Sequence, residues 1–286
     1  MNTFLQKKVF ITGGSSGIGL ATAKHLAKKG ADITIFARDE GRLQASVEEL
    51  KKNAVNKNQL FNWFVADVAD NDDINTKISQ AVSDFNIPDI FINFAGISVA
   101  DKFENISADK FDHLIRVNLA GTRNATASIL PYMKKKGGGT IVIVASTAGL
   151  IPVYGYTAYG TSKYALIGLA ECLRVELKPD NIDVAVLCPP EVDTPLVEVD
   201  EKTSPPETKI LKQMAGKLTA DYTARSLLRG LEKGTFMIIP GFRAKTLYYT
   251  RIFCPGFIFR GSSDLLVWLA QKKKKALKLN PPHANL

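Results

Sequence analysis

The sequence predicts an α/β protein whose centre is a doubly wound parallel sheet of about seven strands. Short apolar runs alternate with amphipathic stretches of helical length, and several of these runs are apolar on both faces. A glycine-rich turn also joins the first apolar run to the first amphipathic stretch. Such alternation gives parallel strands with right-handed connections, and ligands bind these sheets beyond the carboxyl ends of the strands.

The elements follow one another in a regular order over residues 1–240. Predicted strands cover residues 8–12, 31–37, 60–67, 89–95, 140–146, 183–188 and 235–240. Predicted helices cover, approximately, residues 17–29, 39–52, 71–84, 107–134, 157–178 and 219–233. We assign this part to one Rossmann-type domain, in which the polar, proline-containing segment 195–218 is a mobile substrate-loop insertion. Residues 241–286, where the alternation stops, are predicted to form a helical C-terminal extension.

Composition indicates a single globular unit without a metal site. A chain of 286 residues is long enough to bury a sizeable core. None of its cysteines forms a CxxC pair, and free thiols in a reducing compartment are preferred over a disulfide or metal role; they are Cys172, Cys188 and Cys254. The three histidines show no ligand spacing, so we predict no metal.

The net charge of +9 belongs to one end of the chain. Residues 241–286 contain nine Lys or Arg and one acid, whereas the rest of the chain has a net charge of +1. This distribution argues against a nucleic-acid-binding core and indicates that the C-terminal end meets an anionic surface. The N-terminus resembles no signal peptide and no long apolar run occurs, so we expect a cytoplasmic protein, or one bound peripherally to the cytosolic face of a membrane.

The glycine-rich turn "ITGGSSGIG" predicts a nucleotide site. Glycines in a turn between a strand and a helix let backbone N–H groups approach a pyrophosphate, and serine hydroxyls add donors. A purely structural turn is the alternative. The residues predicted to bind the cofactor here are Gly13, Ser15, Ser16, Gly17, Ile18 and Gly19.

The end of the second strand favours NADP(H) over NAD(H). An acid at this point would hold the ribose 2′-hydroxyl of NAD, but the sequence has Ala37 followed by Arg38. A guanidinium binds a 2′-phosphate well, and Arg42, one helical turn further on, is placed to help. The alternative is a solvated surface arginine.

Residues after the third and fourth strands are predicted to hold the adenosine. Asp67 and the Val68 amide are candidates for the adenine ring, with a helix cap as the alternative for Asp67. Asn93 is expected to tie neighbouring strand ends together, while Ala95 and Gly96 leave room for the ribose.

A tyrosine and a lysine spaced for one helix face indicate acid/base chemistry. Tyr159 and Lys163 are separated by four residues, so their side chains project together. A nearby ammonium is expected to lower the pKa of the phenol, as proton exchange at neutral pH requires. Ser146, at the end of the fifth strand, and Asn118, further upstream, complete the candidate set.

With these motifs, the sequence resembles the short-chain dehydrogenase/reductase family. The pieces "TGGSSGIG", "DV", "NFAG", Asn118, Ser146, "YGTSK" and "PPEVDTP" occur in the family order over residues 8–195. The resemblance implies a seven-stranded sheet, a nicotinamide cofactor and, commonly, a homodimer or homotetramer. It also implies that Tyr159 donates a proton to the substrate oxygen and that Lys163 binds the ribose hydroxyls and lowers the pKa of that tyrosine.

The other two catalytic residues also take their roles from the resemblance. Ser146 would hydrogen-bond the substrate carbonyl, with a strand-end cap as the alternative. Asn118 would hold a water that links Lys163 to solvent, with a polar residue in a long helix as the alternative. This chain departs from the family by having Pro189–Pro190 where PG is usual, and proline offers no amide donor. We therefore expect Pro189, Val192 and Thr194 to border the nicotinamide.

Within the family, the sequence around the double proline is similar to that of the 3-ketodihydrosphingosine (3-dehydrosphinganine) reductases. The segments "LAECLRVELKP", "CPPEVDTP" and "KTSPPETKIL" carry this likeness. It implies NADPH-dependent reduction of a long-chain ketone in sphingolipid synthesis. The alternatives are a reductase of another bulky apolar ketone (a steroid, a retinoid or a 3-oxoacyl chain) and a noncatalytic NADPH-binding sensor or membrane-associated scaffold.

The C-terminal extension suits a lipid substrate. Residues 246–259 are rich in aromatic and aliphatic side chains, and residues 262–279 combine an apolar first part with four consecutive lysines. Basic residues beside an apolar helix favour the surface of an anionic membrane. An ordinary packing extension with solvated lysines is the alternative.

Overall fold

A computed structural model describes residues 3–279, except the side chains of 198–199, 201–202, 213–215 and 276–279. Its main feature is a parallel sheet of seven strands, in the spatial order β3-β2-β1-β4-β5-β6-β9. The strands are β1 Lys8–Thr12, β2 Asp32–Ala37, β3 Phe61–Val65, β4 Ile90–Asn93, β5 Gly139–Val144, β6 Ile182–Leu187 and β9 Met237–Ile238. Two short strands, β7 Val192–Asp193 and β8 Leu218–Thr219, pair with each other beside this sheet. The predicted doubly wound sheet of seven strands is confirmed.

Helices cover both faces of the sheet and continue beyond it. They are α1 Gly17–Ala27, α2 Glu40–Lys52, α3 Asn71–Phe85, α4 Ala108–Ile115, α5 Gly121–Lys136, α6 Thr157–Glu176, α7 Pro195–Thr203, α8 Pro206–Ala215, α9 Ala220–Glu232, α10 Phe242–Phe253 and α11 Gly256–Leu279. The last two form the predicted helical extension, and α11 packs against α8. Within the described range, no helix is both long enough and apolar enough to span a membrane.

The core consists of two layers, one on each face of the sheet. Val9 and Ile11 of β1 pack in the layer beneath α1, α2 and α9. Phe10, between them, packs in the opposite layer with α3, α5 and α6. Successive residues of a strand point to opposite faces, so a strand covered on both sides is apolar throughout.

Three sequence predictions need correction. The helix predicted over residues 107–134 is divided into α4 and α5 by a π-helical turn at Arg116–Ala120. The polar segment 195–218, for which no helix is predicted, contains α7 and α8, because Pro195 and Pro206 suit the first turn of a helix and apolar residues of both helices are buried; its role as a mobile substrate-loop insertion stays a prediction. The last strand is two residues long, since only Met237 and Ile238 pair with β6.

Candidate active site

The glycine-rich turn joins β1 to α1 at the carboxyl edge of the sheet. Gly13 has φ +68° and Gly17 has φ +52°, values that favour glycine. A Cβ atom on Gly13 would lie 2.6 Å from the Ala95 backbone nitrogen, and one on Gly17 would lie 3.1 Å from Thr194 Cγ2. The turn therefore meets the segments that follow β4 and β7, and side chains on these glycines would fill the cradle between them.

The other residues of the turn that are predicted to bind the cofactor each make different contacts. Ser16 is the N-cap residue of α1, and its side chain makes no capping hydrogen bond. The Ser15 carbonyl accepts a hydrogen bond from a serine of α2 at 3.3 Å. Ile18 packs in the layer beneath α1 and α9, and Gly19 packs directly against the Gly13 carbonyl. A narrow turn before the positive end of a helix fits the pyrophosphate of a dinucleotide.

The segment after β2 carries the two arginines predicted to select the cofactor. Arg38 is exposed immediately beyond the last residue of β2. Arg42 Nε lies 3.4 Å from Asp39 Oδ2. Asp39 also caps α2 by accepting a hydrogen bond from the Arg42 amide at 2.9 Å. Because Asp39 offsets the charge of Arg42, Arg38 is the stronger candidate for binding a phosphate.

Asp67 and Val68 lie after β3, where an adenine-binding segment is predicted. Asp67 Oδ1 accepts a hydrogen bond from the Ala69 amide at 2.9 Å. Val68 is buried, and its carbonyl accepts one from Asn124 Nδ2 at 3.1 Å. The alternative that Asp67 caps the following helix is wrong, because Asp70 directly precedes α3 and accepts hydrogen bonds from two amides of its first turn.

The segment after β4 is held from two sides. Asn93 Nδ2 donates to Thr126 Oγ1 at 3.2 Å and to the Val142 carbonyl of β5 at 3.4 Å, so it ties neighbouring strand ends together. A Cβ atom on Gly96 would lie 3.2 Å from Asn118 Oδ1 and would intrude between this segment and the helix containing that asparagine. The absence of a side chain at Gly96 keeps this part of the edge open.

The predicted catalytic side chains meet above the ends of β5 and β6. Tyr159 and Lys163 project from one face of α6, with Lys163 Nζ 5.5 Å from the centre of the tyrosine ring. The Ser146 side chain lies near the Tyr159 phenol and acts to lower its pKa. Lys163 Nζ donates to the Val144 carbonyl at 3.0 Å. Ser146 also acts as a local cap, since its Oγ accepts from the Ala148 amide at 3.1 Å.

Burial controls the protonation of these groups. It raises the pKa of Tyr159, although Ser146 acts in the opposite direction. Burial lowers the pKa of Lys163 to about 8, although Cys188 acts more weakly to raise it. Burial also raises the pKa of the Cys188 thiol to about 12. The expectation of a lowered pKa for Tyr159 is therefore wrong, because desolvation of the phenolate is the largest effect on it. Tyr159 stays protonated at neutral pH.

Asn118 lies in the π-helical turn Arg116–Ala120 and is fully buried. Its Oδ1 accepts a hydrogen bond from the Ile97 amide at 2.8 Å, and its Nδ2 donates to the Ile97 carbonyl at 2.9 Å. Nδ2 also donates to Ser162 Oγ of α6 at 3.0 Å. Asn118 thus connects the segment after β4 to the helix that carries Tyr159 and Lys163.

The double proline forms the far wall of the site. The Pro189 carbonyl accepts hydrogen bonds from the Thr147 amide at 2.9 Å and from Ser146 Oγ at 3.3 Å. Val192 lies in β7, and Thr194 Oγ1 donates to the Val192 carbonyl at 3.1 Å. Although Pro189 offers no amide donor, its carbonyl positions Ser146, the serine near Tyr159.

Sequence reasoning missed a group of polar side chains near Tyr159, of which Asp200 is buried and the others are partly buried. The group, here called the lid cluster, comprises Ser98, Tyr156, Glu191, Asp200 and Lys212. Its members come from five separate segments, and the hydrogen bond between Ser98 and Asp200 joins residues 102 positions apart. No local motif signals such a cluster; the nearest hint is the unexplained pair of acids in "CPPEVDTP".

Comparisons with known proteins agree with this geometry. A family model described as short chain dehydrogenase matches residues 7–204. A 3-dehydrosphinganine reductase from Danio rerio is 40% identical over 229 residues, which cover 80% of this chain and 69% of that protein.

Solved structures agree as well. The crystal structure of levodione reductase matches with a TM-score of 0.76 and 26% identity, covering 83% of this chain and 96% of the other. An alcohol dehydrogenase from the archaeon Thermococcus sibiricus, complexed with 5-hydroxy-NADP, matches with a TM-score of 0.70 and 25% identity over 82% of this chain and 95% of its own. Because the family model matches residues 7–204 and the reductase from Danio rerio is 40% identical, this chain belongs to the short chain dehydrogenase family of nicotinamide-dependent oxidoreductases.

Proposed function

We propose that this protein reduces 3-ketodihydrosphingosine to dihydrosphingosine with NADPH. The observation that carries the proposal is the position of the Tyr159 phenol near Ser146, beside Lys163, in a chain 40% identical to a 3-dehydrosphinganine reductase. A protonated phenol is the group that ketone reduction needs, because the new alkoxide must receive a proton.

The proposed chemistry divides between the cofactor and the chain. A bound nicotinamide would supply the hydride. Tyr159, whose raised pKa keeps it protonated, donates its proton to the ketone oxygen. Ser146 directs a hydroxyl at the same oxygen, and Lys163 holds the ribose hydroxyls. Asn118 positions α6 through its hydrogen bonds and holds a water that connects Lys163 to solvent.

The proposed cofactor site uses the residues around the glycine turn. Gly13, Ser16 and Gly17 surround the pyrophosphate; the adenosine would lie against Asp67, Val68, Asn93, Ala95 and Gly96; Pro189, Val192 and Thr194 border the nicotinamide. We propose that Arg38 selects NADPH by pairing with the 2′-phosphate. Arg38→Gln is expected to weaken NADPH about 10- to 100-fold and leave NADH unchanged, as one charge-assisted contact implies.

Dissociation constants measured by cofactor fluorescence test the cofactor choice. Arg42→Gln is the matched variant, and its effect should be smaller because Asp39 already offsets that charge. Tighter binding of NADH than of NADPH by the unaltered protein would contradict the proposal.

Turnover identifies the substrate. NADPH oxidation is measured with 3-ketodihydrosphingosine, a steroid ketone, a retinal and a 3-oxoacyl thioester. The sphingoid ketone should show the highest kcat/KM; preference for another ketone would favour the alternative reductase. Tyr159→Phe should abolish turnover with cofactor affinity retained, whereas Tyr132→Phe, which removes a phenol bonded to Ser79 on the outer helices, should change neither. A protein that binds NADPH but reduces none of these ketones would be a sensor or scaffold instead.

We further propose that α10 and α11 attach the protein peripherally to the anionic cytosolic face of a membrane. Several large apolar side chains of these helices are exposed, among them Phe253 at 79% and Phe257 at 70%. The same region carries nine Lys or Arg against one acid. Exposed apolar area combined with positive charge matches an anionic bilayer surface, and α11 packs on α8, the helix Pro206–Ala215.

Liposome flotation of the full chain tests the membrane proposal. The protein should float with vesicles that contain phosphatidylserine and remain in solution with neutral ones. The double variant Phe253→Ser and Phe257→Ser should lose flotation, whereas Val175→Ser, at a site 66% exposed on α6, should retain it. Equal behaviour of the three proteins would exclude these helices as the attachment. Association as a homodimer or homotetramer remains a separate prediction, for which light scattering is the test.

A further inference from the structure

The lid cluster places a carboxylate in a nearly closed environment. Asp200 of α7 is 3% exposed, and its Oδ2 accepts hydrogen bonds from Ser98 Oγ at 2.7 Å and Tyr156 OH at 2.8 Å. Lys212 Nζ of α8 lies 3.9 Å from the same oxygen and 3.1 Å from Glu191 Oε2. Burial, the largest effect, raises the pKa of Asp200, while the two hydrogen-bond donors and the nearby ammonium act to keep it ionised.

The charges of the cluster do not balance. When both carboxyls are ionised, Asp200 and Glu191 bring two negative charges, and Lys212 brings one positive charge that lies closer to Glu191. Among the residues whose side chains the structure describes, none donates a hydrogen bond to Asp200 Oδ1, which is buried. A buried, unpartnered carboxylate oxygen is costly, and a cationic group of a ligand would relieve that cost.

The cluster lies at the catalytic edge of the sheet. Ser98 follows β4, Glu191 follows β6, and Tyr156 precedes Tyr159 by less than one helical turn. The rings of Tyr156 and Tyr159 are 5.2 Å apart between centres. Asp200 also contributes to raising the pKa of Tyr159, after the larger effect of burial, so the two groups interact electrostatically. Tyr156 therefore connects Asp200, to which its hydroxyl donates, with Tyr159, whose ring it contacts.

We propose that Asp200 is a specificity residue that binds the ammonium group of an α-amino ketone. The inference rests on the proposed function, because 3-ketodihydrosphingosine carries an amine on the carbon next to its ketone. Steroid, retinoid and 3-oxoacyl ketones have no cation at that position. An ammonium bound at Oδ1 completes the charge balance of the lid cluster, whereas a ketone without the amine leaves the carboxylate unpaired. Discrimination thus comes from a penalty against the wrong substrate as well as a contact with the right one.

The test compares two ketones that differ only in the amine. Short-chain analogues of 3-ketodihydrosphingosine, with and without the amino group, are reduced by the full-length protein with NADPH. The selectivity, defined as the ratio of kcat/KM for the amino ketone to that for the deaminated ketone, should be about 10- to 100-fold, the value of one hydrogen bond to a charged group. Asp200→Asn should reduce the selectivity to about one, mainly by raising KM for the amino ketone.

Two further variants separate recognition from damage to the lid. Lys212→Met removes the internal cation, so the selectivity should rise rather than fall. Glu207→Gln removes a carboxylate of α8 that lies outside the lid cluster and pairs with Lys274 Nζ at 2.6 Å, and it should leave the selectivity unchanged even if it slows both reactions. If Asp200→Asn does not fold, Lys212→Met still tests the proposal, because its selectivity is expected to rise above that of the unaltered protein.

The outcomes distinguish the two proposals. Equal kcat/KM for both ketones in the unaltered protein, or an unchanged selectivity in both Asp200→Asn and Lys212→Met, would overturn the role of Asp200 while leaving the reductase intact. Failure of the unaltered protein to reduce either ketone would overturn the proposed function and this inference with it. Loss of selectivity in Asp200→Asn, with its retention in Glu207→Gln, would support the role.

Discussion

Replacing the buried lysine of the active site should make the protein more stable. Lys163 is 6% exposed, and burial lowers its pKa from 10.5 to about 8. About 2.5 pH units of depression correspond to about 3 kcal/mol, the cost of keeping the ammonium charged in the folded protein at neutral pH. Lys163→Met removes this cost but leaves the Val144 carbonyl without its donor, a loss of about 1 kcal/mol. We expect a net stabilisation of about 2 kcal/mol at pH 7.

The stabilisation by Lys163→Met should decrease as the pH rises. Lys163 is charged in both folded and unfolded states below pH 8, so the full penalty applies there. Between about pH 8 and pH 10.5 the folded protein loses this proton before the unfolded chain does, and the penalty disappears. The advantage of Lys163→Met should therefore be largest at neutral pH and fade as the pH rises through this window.

Urea unfolding followed by tryptophan fluorescence at several pH values measures the effect. Lys134→Met is the matched control, since Lys134 lies on the surface and pairs with Asp180 at 2.7 Å; it should give no such stabilisation. A Lys163→Met protein that is less stable than the unaltered one at pH 7, or whose advantage grows with pH, would refute the reasoning.

Two further predictions concern opposite edges of the sheet, the glycine turn at the carboxyl edge and Asp89 at the amino edge. Gly13→Ala should weaken cofactor binding, and it should lower the melting temperature more than Gly234→Ala does. Both glycines have positive φ, +68° at Gly13 and +62° at Gly234. Only at Gly13 would the new Cβ meet backbone atoms, because no atom lies within 4 Å of a Cβ placed on Gly234. Asp89→Asn should destabilise the protein by about 1 to 3 kcal/mol at pH 7. Burial acts to raise the pKa of Asp89, but hydrogen bonds from Lys136 and the Lys8 amide make the net shift a lowering from 3.8. Its stabilisation is therefore present above pH 3.8 and lost as the pH falls through the lower folded value, so the difference between the two proteins in acid titrations should vanish there.

Elements with a local signature were predicted correctly. The apolar strands of the sheet, the glycine turn after β1 and the spacing of Tyr159 and Lys163 on α6 all depend on residues within one or two turns of each other. Periodicity and glycine placement express local requirements, namely burial on both faces, a tight turn and a shared helix face. Those requirements can be read without knowing where the rest of the chain lies.

Features that depend on distant packing were missed or mistaken. The segment 195–218 has a polar composition typical of a loop, yet it contains α7 and α8, in which Val197 and Ile210 are buried by contacts that the local sequence does not reveal. The direction of the pKa of Tyr159 was wrong because the spacing to Lys163 predicts an attraction but not the desolvation of the phenolate, which is the largest effect.

The sequence by itself determined the family, the parallel sheet and the residue types available for proton transfer, since each leaves a short-range pattern. Only the tertiary structure decided which charges are buried and what surrounds them. Asp200, Ser98 and Lys212 come together from separate segments, and their energies depend on exclusion from water. Desolvation is a property of the folded assembly of elements, so no window of sequence reveals it.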